Sequence, residues 1–202
     1  MKTKLCLHMA LALACVCLSL PIQGQNSKDK VKAIRQAYAE AVEMTKYDEP
    51  LARTEMGITV NRNVPGIGLQ NKKIEFFGST HDDEEHFIVY DVRLVRVSFN
   101  VAARKFYEEF LFDENGEPLF YFCQYEGYFA ETSTKEEKRY YFDNRKLCSY
   151  SYKAKDAETG EALSAKNIPD LFEINNGEDY ADHFQDFDTY RTLFNTVMNS
   201  DR

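Results

Sequence analysis

The chain has 202 residues, 25 basic and 33 acidic side chains, and a formal net charge of -8 at pH 7. Its length and its 44% share of hydrophobic residues suit one domain with a sizeable core. The acidic balance and the lack of a dense basic run exclude a nucleic-acid-binding protein of the usual basic type.

The first 24 residues have the pattern of a secretory signal peptide. Lys2 and Lys4 form a charged start, an apolar run follows from Leu5 to Leu20, and Gly24 is a small residue suited to cleavage. The sequence therefore predicts one domain over residues 25–202, in a secreted, periplasmic or cell-surface protein with no transmembrane segment after cleavage.

Two other fates of the N-terminal segment remain open. If it is not cleaved it would be a membrane anchor, although the apolar run is shorter than the roughly 20 residues that a spanning helix needs. Lipid attachment would need cleavage before Cys15 or Cys17, but Val16 and Leu18 continue the apolar run.

An amphipathic helix is predicted from Lys28 to about Tyr47, with Ser27 as its N-cap. The residues at helical spacing are Val31, Ile34, Tyr38, Ala41, Val42 and Thr45. A strand with alternating Met56, Ile58 and Val60 follows. The glycine-containing segment from Val64 to Gly68 is predicted to be a turn, since it lacks the lysine and the following helix of a phosphate-binding loop. A return strand is predicted from Lys73 to Phe77.

A cluster of histidine and acidic residues spans positions 81–86. Two imidazoles and four carboxylates are suitable ligands for a divalent metal ion, which makes His81, Asp83 and His86 candidate metal ligands. Their spacing matches no standard zinc motif, and a solvated turn between two strands explains the same residues.

The following strand changes its apolar parity. Tyr90, Val92 and Leu94 occupy even positions, whereas Val95 and the apolar residues after it occupy odd ones. A period-2 pattern that slips by one residue indicates a β-bulge near Leu94. Farther on, Phe106, Phe110 and Phe112 share a face with Glu108, and Tyr107 and Leu111 take the other face. Apolar residues on both faces indicate that the sheet is covered on both sides or curls over itself.

Two hairpins are predicted in the aromatic half of the chain, from Glu109 to Phe122 and from Arg139 to Tyr150. Their turns contain Asn115-Gly116 and Asn144-Arg145, which suit the positive φ angles of tight hairpins. The segment from Ala154 to Asp179 is predicted to be a long loop.

Two helices are predicted near the C-terminus. A short one, from Pro169 to Asn175, interrupts the long loop. A C-terminal helix should dock on the sheet through residues at helical spacing, namely Tyr180, Phe184, Phe187, Phe194, Val197 and Met198.

The two cysteines after the signal segment, Cys123 and Cys148, are predicted to be free thiols. An exported protein with two cysteines invites a disulfide. In a meander, however, one strand separates the strands that carry them, so that their Cα atoms lie about 9.6 Å apart. A disulfide tolerates about 7 Å.

Tyrosines are the candidate ligand-binding residues, because each offers a ring face and a hydroxyl group. The candidates are Tyr121, Tyr125, Tyr128, Tyr150 and Tyr152. Cross-strand packing in the core explains aromatic residues in a sheet equally well.

No catalytic residue and no cofactor is predicted. The chain has no Gly-x-Ser-x-Gly elbow, and no serine or cysteine has an evident base nearby in the sequence. A hydrolase that uses a pair of carboxylates stays open, because the spatial pairing of acidic residues is not visible in a sequence.

Two resemblances add to this reading. The hairpins resemble single units of MORN-type and tyrosine-aspartate repeat proteins, through Phe112-Asp113 and Phe142-Asp143, but two copies are too few for a solenoid. The whole chain resembles a family of exported proteins, with no established activity, from Gram-negative anaerobes of the gut and mouth. The residues behind this second resemblance are Ile34-Arg35, Tyr38-Ala39-Glu40, Val64-Pro65-Gly66 and the segment from Asn100 to Phe110. It implies a periplasmic or surface location and no activity.

The sequence as a whole predicts an α+β domain with an N-terminal helix, an antiparallel meander of about seven strands and a C-terminal helix. The leading functional hypothesis is a non-catalytic exported module that binds a small molecule, a glycan or a protein through an aromatic sheet face and the adjoining long loop. A structural or envelope-assembly protein is the alternative, followed by the hydrolase.

The signal-peptide prediction can be tested by mass. The protein recovered from its producing cell should begin at Gln25, because cleavage after Gly24 removes the whole apolar run. Intact-mass measurement with N-terminal sequencing decides this. A chain that keeps Met1, or that carries lipid on Cys15 or Cys17, would contradict the prediction.

Overall fold

The structure, a computed structural model, describes residues 23–46, 54–82, 88–129, 132–163 and 180–200. These ranges contain two helices and seven strands, in the order α1 (Gln23–Met44), β1 (Thr54–Val64), β2 (Gly68–Asp82), β3 (Ile88–Val101), β4 (Arg104–Phe112), β5 (Pro118–Phe129), β6 (Thr132–Asp143), β7 (Lys146–Asp156) and α2 (Ala181–Met198). The strands form one antiparallel sheet in sequence order. This confirms the predicted α+β meander.

The two helices cover opposite faces of the sheet, because the strands carry apolar side chains on both. On the face that we call the α1 face, the buried residues are Ile34, Ala41, Phe77, Leu94, Leu111, Phe120 and Tyr141. On the opposite face, the α2 face, the fully buried phenylalanines are Phe76, Phe110, Phe112, Phe142, Phe187 and Phe194. The sequence leaves two alternatives, a sheet covered on both sides and a sheet that curls over itself, and the structure shows the first.

Helix α1 begins earlier than the sequence predicts. Ser27, the predicted N-cap, lies inside the helix, and its hydroxyl group donates a hydrogen bond to the carbonyl oxygen of Cys148 at 3.0 Å. The N-cap prediction is therefore wrong, and Ser27 instead ties α1 to β7. Cleavage after Gly24 would remove the first two residues of this helix. No helix in the described ranges is long and apolar enough to span a membrane.

A buried carboxylate joins α1 to the middle of the sheet. Glu109 of β4 is only 3% exposed. It accepts hydrogen bonds from the hydroxyl groups of Tyr38 and Tyr107 and from Nε of Arg96 at 3.1 Å. Arg96 also donates to the hydroxyl group of Thr45, just beyond the end of α1. Burial and the bond to Glu109 raise the pKa of both tyrosines, so their hydroxyl groups stay protonated donors.

A β-bulge lies in β3 where the sequence predicts it. Phe77 of β2 pairs with Leu94, but the next residue, Gly78, pairs with Val92, which leaves Arg93 as the extra residue. Because of the bulge, apolar side chains before and after the change of parity are both buried. The predicted break near Leu94 is confirmed.

The two predicted hairpins are formed by β4–β5 and by β6–β7. The turn of the first contains Gly116 with φ of 75°, and the turn of the second contains Asn144 and Arg145 with φ of 50° and 57°. Cys123 belongs to the cluster on the α2 face, Cys148 packs on the α1 face, and β6 lies between their strands. Both cysteines are free thiols, as predicted.

Helix α2 crosses the α2 face from β6 to β2. Phe187 contacts Phe110 and Phe142, and Phe194 contacts Phe76. This confirms the docked C-terminal helix. The predicted loop starts later than expected, because β7 continues to Asp156 and residues 157–163 then fold back through a bridge between Lys155 and Ala162. The predicted helix from Pro169 to Asn175 lies outside the described residues.

The close approach of α2 to the sheet depends on a glycine. A Cβ atom on Gly78 would lie 2.6 Å from the carbonyl oxygen of Asp91 and 2.9 Å from the ring of Phe194. Gly78→Ala should therefore lower the free energy of unfolding by about 2 kcal/mol, which urea denaturation measures. Gly57→Ala is the matched control, because nothing lies within 4 Å of its added Cβ atom. Equal stability of the two variants would contradict the packing described.

Candidate functional site

A groove of about 580 Å³ crosses six strands at one end of the sheet. We call it the polar groove, after the side chains that line it on the α1 face. These are Thr59, Asn71, Lys73, Ser98, Asn100, Lys105, Tyr107, Gln124, Glu126 and Lys135. Tyr107 lies two residues from Glu109 in β4, so its side chain is on the α1 face. Ser98 and Gln124 pair with Tyr107 across the strands, and the other lining residues share this face through the register or through alternation along a strand.

Four further lining residues have side chains on the opposite face, namely Lys72, Phe99, Phe106 and Tyr125. Lys72 shows this directly, since its Nζ donates a hydrogen bond to the hydroxyl group of Tyr190 on α2 at 2.9 Å. The four residues therefore contribute backbone to the floor of the polar groove.

The charges in the polar groove are partly compensated. Lys73 forms an ion pair with Glu75 at 2.7 Å. Glu126 lies opposite Lys135 in the register of β5 and β6, an arrangement in which opposite charges attract. Apart from Lys105, the other polar side chains of the groove are neutral hydrogen-bonding groups.

The middle of the polar groove contains hydroxyl and amide side chains on rigid strands. Ser98 is exposed, and Gln124 is half-buried two strands away. Asn100 is already fixed, because its amide donates to the carbonyl oxygens of Leu69 and Ala102 and accepts from the backbone of Asn71. Ser98 and Gln124 are therefore more available to a ligand than Asn100 is.

An aromatic strip lies on the α2 face behind the polar groove. The ring centroids of Phe99 and Phe106 are 4.9 Å apart, and those of Phe106 and Tyr125 are 5.8 Å apart, with nearly parallel planes in both pairs. Lys72 Nζ lies 5.7 Å from the Phe99 ring, and Lys138 Nζ lies 5.7 Å from the Tyr125 ring. Because the ring faces are occupied by one another and by the two ammonium groups, the strip stiffens the groove floor and offers no free face for stacking.

Two of the predicted ligand-binding tyrosines lie in the packed part of the α2 face. Tyr121 is 3% exposed, and its ring centroid lies 4.0 Å from that of His183 on α2. Tyr150 is half-buried against Tyr140, with centroids 4.8 Å apart. The structure uses both rings for packing between the sheet and α2.

Two others share one carboxylate near the aromatic strip. The hydroxyl groups of Tyr125 and Tyr152 each donate to Oε2 of Glu136 at 2.7 Å, and Thr134 donates to Oε1 at 2.9 Å. Tyr128 lies in β5 opposite Ser133, but its side chain is outside the described residues. The four candidate tyrosines whose side chains are described thus do not form one exposed surface.

The predicted metal ligands are only partly described. His81 lies near the end of β2, where its Nδ1 is 2.6 Å from a carboxylate oxygen of Asp91. Asp83 and His86 lie outside the described residues. Within the part of the chain that the structure describes, no three histidine, cysteine or acidic side chains come together as metal ligands.

Two carboxyl groups with raised pKa lie under or beside α2. Burial raises the pKa of Glu108, and the nearby charge of Asp186 adds to this, against a hydrogen bond from Tyr121 and the charge of Lys72. Burial also raises the pKa of Asp186. Neither residue lines the polar groove, so both carboxyl groups lie outside the space in which a substrate would bind.

Sequence reasoning missed the side chains that line the polar groove. It singled out the aromatic residues of β5 but not Gln124 and Glu126, which alternate with them on the other face. The signal that could have located them is the set of polar residues that alternate with apolar ones in β3, β4 and β5. Ser98, Tyr107 and Gln124 belong to this set and lie on one face of the sheet.

The contributions of Glu108 and Asp188 to stability should depend on pH in opposite ways. Folding raises the pKa of Glu108, so its contribution to stability is present at low pH and is lost as the pH rises through the folded-state pKa. Glu108→Gln should therefore be more stable than the natural protein at neutral pH, with a difference that shrinks on acidification.

Asp188 provides the opposite case. The Arg145 guanidinium lowers the pKa of Asp188, so that its contribution is present at neutral pH and is lost as the pH falls. Asp188→Asn should lose about 1 kcal/mol or less at neutral pH, since the pair is partly exposed. Thermal melting from about pH 4 to about pH 8 tests both variants. Parallel pH profiles for the two would contradict the assignment.

Comparisons with known proteins leave the function to be argued from this geometry. No family model, curated protein or solved structure matches the chain. The resemblance to exported proteins of Gram-negative anaerobes stays a prediction. The polar groove, with Ser98 and Gln124 at its centre, is the best-formed candidate site in the described residues.

Proposed function

We propose that the protein is an exported, non-catalytic binding module whose ligand lies in the polar groove. The observation behind the proposal is a groove of about 580 Å³ that presents hydroxyl and amide side chains from five strands of one sheet. This volume lies in the range of small-molecule sites. The proposal keeps the sheet surface expected from the sequence but moves the ligand from the aromatic face to the opposite one.

The chemistry of the groove favours a neutral, hydroxyl-rich ligand such as a short glycan. Ser98 and Thr59 can donate and accept hydrogen bonds, and Gln124 has both an acceptor oxygen and an NH₂ donor. Two of the lysines there have acidic neighbours, Lys73 with Glu75 and Lys135 with Glu126, so a charged ligand gains less from them. The ring of Tyr107 adds an apolar patch beside these groups.

A binding role fits the groove better than catalysis does. Among the residues that the structure describes, the lining of the groove contains no histidine and no cysteine, and Glu126 is its one carboxylate. General acid–base hydrolysis of a glycoside needs two carboxyl groups across the bond that breaks. The carboxyl groups with raised pKa, Glu108 and Asp186, lie outside the lining, so the hydrolase is the weaker alternative.

Export is supported by the sequence of the N-terminal segment, with its two lysines, its apolar run and Gly24. A ligand-binding module outside the inner membrane would meet glycans of the envelope or the surroundings. This location is part of the proposal.

An assembly role is the second candidate, and one observation favours it. The β1–β2 hairpin exposes three apolar side chains, with Val60 at 41%, Ile67 at 40% and Leu69 at 60%. β1 is also an edge strand with eleven residues. Long exposed edges and apolar tips are suited to contacts with another protein.

Filling the groove should abolish ligand binding. Ser98→Arg places a long charged side chain at the centre of the groove from an exposed strand position. Native mass spectrometry of the protein isolated from its own envelope should show ligand mass on the natural protein and not on this variant. A panel of neutral oligosaccharides should reproduce the bound species.

Thr80→Arg is the matched control, since Thr80 is an exposed strand residue outside the groove lining. It should retain the ligand. If the natural protein carries no ligand, or is found only with a partner protein, the assembly role replaces the binding role. Equal loss in both variants would mean that the groove is not the site.

A further inference from the structure

We propose that a second site, a basic cleft between α1 and the strands β6 and β7, binds an acidic oligosaccharide. The cleft consists of two adjoining cavities of about 400 Å³ and about 350 Å³, both of which include Arg35 in their lining. The cations along it are Lys28, Lys32, Arg35, Arg139 and Lys153. This site does not depend on the polar groove.

Helix α1 arranges three of the cations in a row. Lys28, Lys32 and Arg35 are spaced by four and three residues, which puts them on one side of a helix. With a rise of about 1.5 Å per residue, their successive separations along the axis are roughly 6 Å and roughly 4.5 Å. Ile34 and Ala41 bury the neighbouring stripe of the helix against the sheet, so the row borders the strands.

The sheet supplies the other wall of the cleft. Arg139 of β6 and Lys153 of β7 line the larger cavity with the hydroxyl group of Ser151, and Ser149 lines the smaller one. Cations from two sides of a concave space surround a ligand, whereas cations on a flat surface contact it from one side only. The serine hydroxyl groups between them can bond to sugar hydroxyls.

Most of these cations are not neutralised by the described residues. Arg139 forms an ion pair with Glu137 at 2.9 Å. Lys153 lies opposite Glu137 in the register of β6 and β7. Within the described ranges, no carboxylate lies at ion-pair distance from Lys28, Lys32 or Arg35. Elsewhere in the fold, Lys30 is paired with Asp143, and Arg145 with Asp188. An unbalanced row of cations in a chain with a net charge of -8 indicates an anionic ligand.

The surroundings of the cations disfavour single-stranded nucleic acid. Binding to bases uses exposed aromatic faces. The aromatic residues in the described lining of the cleft are Tyr38, Phe120 and Tyr141. Tyr38 packs on Phe120 with ring centroids 5.1 Å apart, and the guanidinium carbon of Arg35 lies 5.4 Å from the centroid of the Tyr141 ring. Those faces are therefore covered. The concave shape likewise does not suit a bilayer surface, which needs protruding cations.

Fluorescence titration with chemically matched probes tests the proposal. A tetrasaccharide of galacturonic acid should bind, and its fully methyl-esterified form, which has the same sugars without the charges, should bind at least about tenfold more weakly. Binding of the acid form should weaken as salt is added. A sulfated tetrasaccharide shows whether carboxylate or sulfate is the preferred anion, and tighter binding of either one supports the site.

Two double variants with the same change in charge locate the site. Lys28→Glu with Lys32→Glu should lower the affinity for the acidic tetrasaccharide by about tenfold or more. Both residues are exposed on α1, so the fold should persist. Lys46→Glu with Arg62→Glu is the control, because both are exposed outside the cleft, and its affinity should stay within about twofold.

Four results would overturn the proposal. The first is no binding of either acidic tetrasaccharide. The second is equal affinity for the methyl-esterified probe. The third is an equal loss of affinity in the two double variants. The fourth is equally tight binding of an oligothymidine with the same number of charges, which would mean a general cationic surface. The variant Ser98→Arg should bind the acidic probe normally, so that failure of the polar groove and failure of the basic cleft are distinguished.

Discussion

The position of α1 depends on the buried carboxylate of Glu109. β4 is the central strand of seven, and Glu109 on this strand is only 3% exposed. A carboxylate buried to this extent needs a counter-charge and hydrogen bonds. Arg96 supplies the charge, and the hydroxyl groups of Tyr38 and Tyr107 complete the set. Removal of one member of such a buried pair costs about 3–5 kcal/mol. Because Tyr38 belongs to α1, this group of side chains fixes where the helix lies, and the helix in turn bounds the basic cleft.

The two faces of the sheet consequently differ in chemistry. On the α2 face, the phenylalanines around Phe187 and Phe194 form the larger core, and an ion-pair network of Arg145, Arg191 and Asp188 fixes α2 to the hairpin turns. On the α1 face, the helix covers only part of the strands and leaves space on either side of its contacts. The polar groove and the basic cleft occupy this space, so both candidate sites follow from the limited reach of one helix.

Much of the fold could be predicted from local patterns. The parity change near Leu94 located the bulge at Arg93, and Asn144-Arg145 located a turn with two positive φ angles. Such features depend on neighbouring residues only.

The site could not be predicted in the same way. Tyr121 and Tyr125 are two residues apart and similar in the sequence, yet Tyr121 lies under α2 whereas Tyr125 bonds to Glu136 beyond it. The path of α2 across the sheet decides this difference.

The sequence by itself determined the α+β class, the strand order and the presence of apolar residues on both faces, because period-2 and helical patterns are encoded residue by residue. Only the tertiary structure decided which polar residues meet. Lys28, Arg139 and Lys153 line one cleft because α1 packs against β6 and β7, although Lys28 precedes both strand residues by more than a hundred positions. Binding sites of this kind are set by contacts between distant segments, which the order of residues does not display.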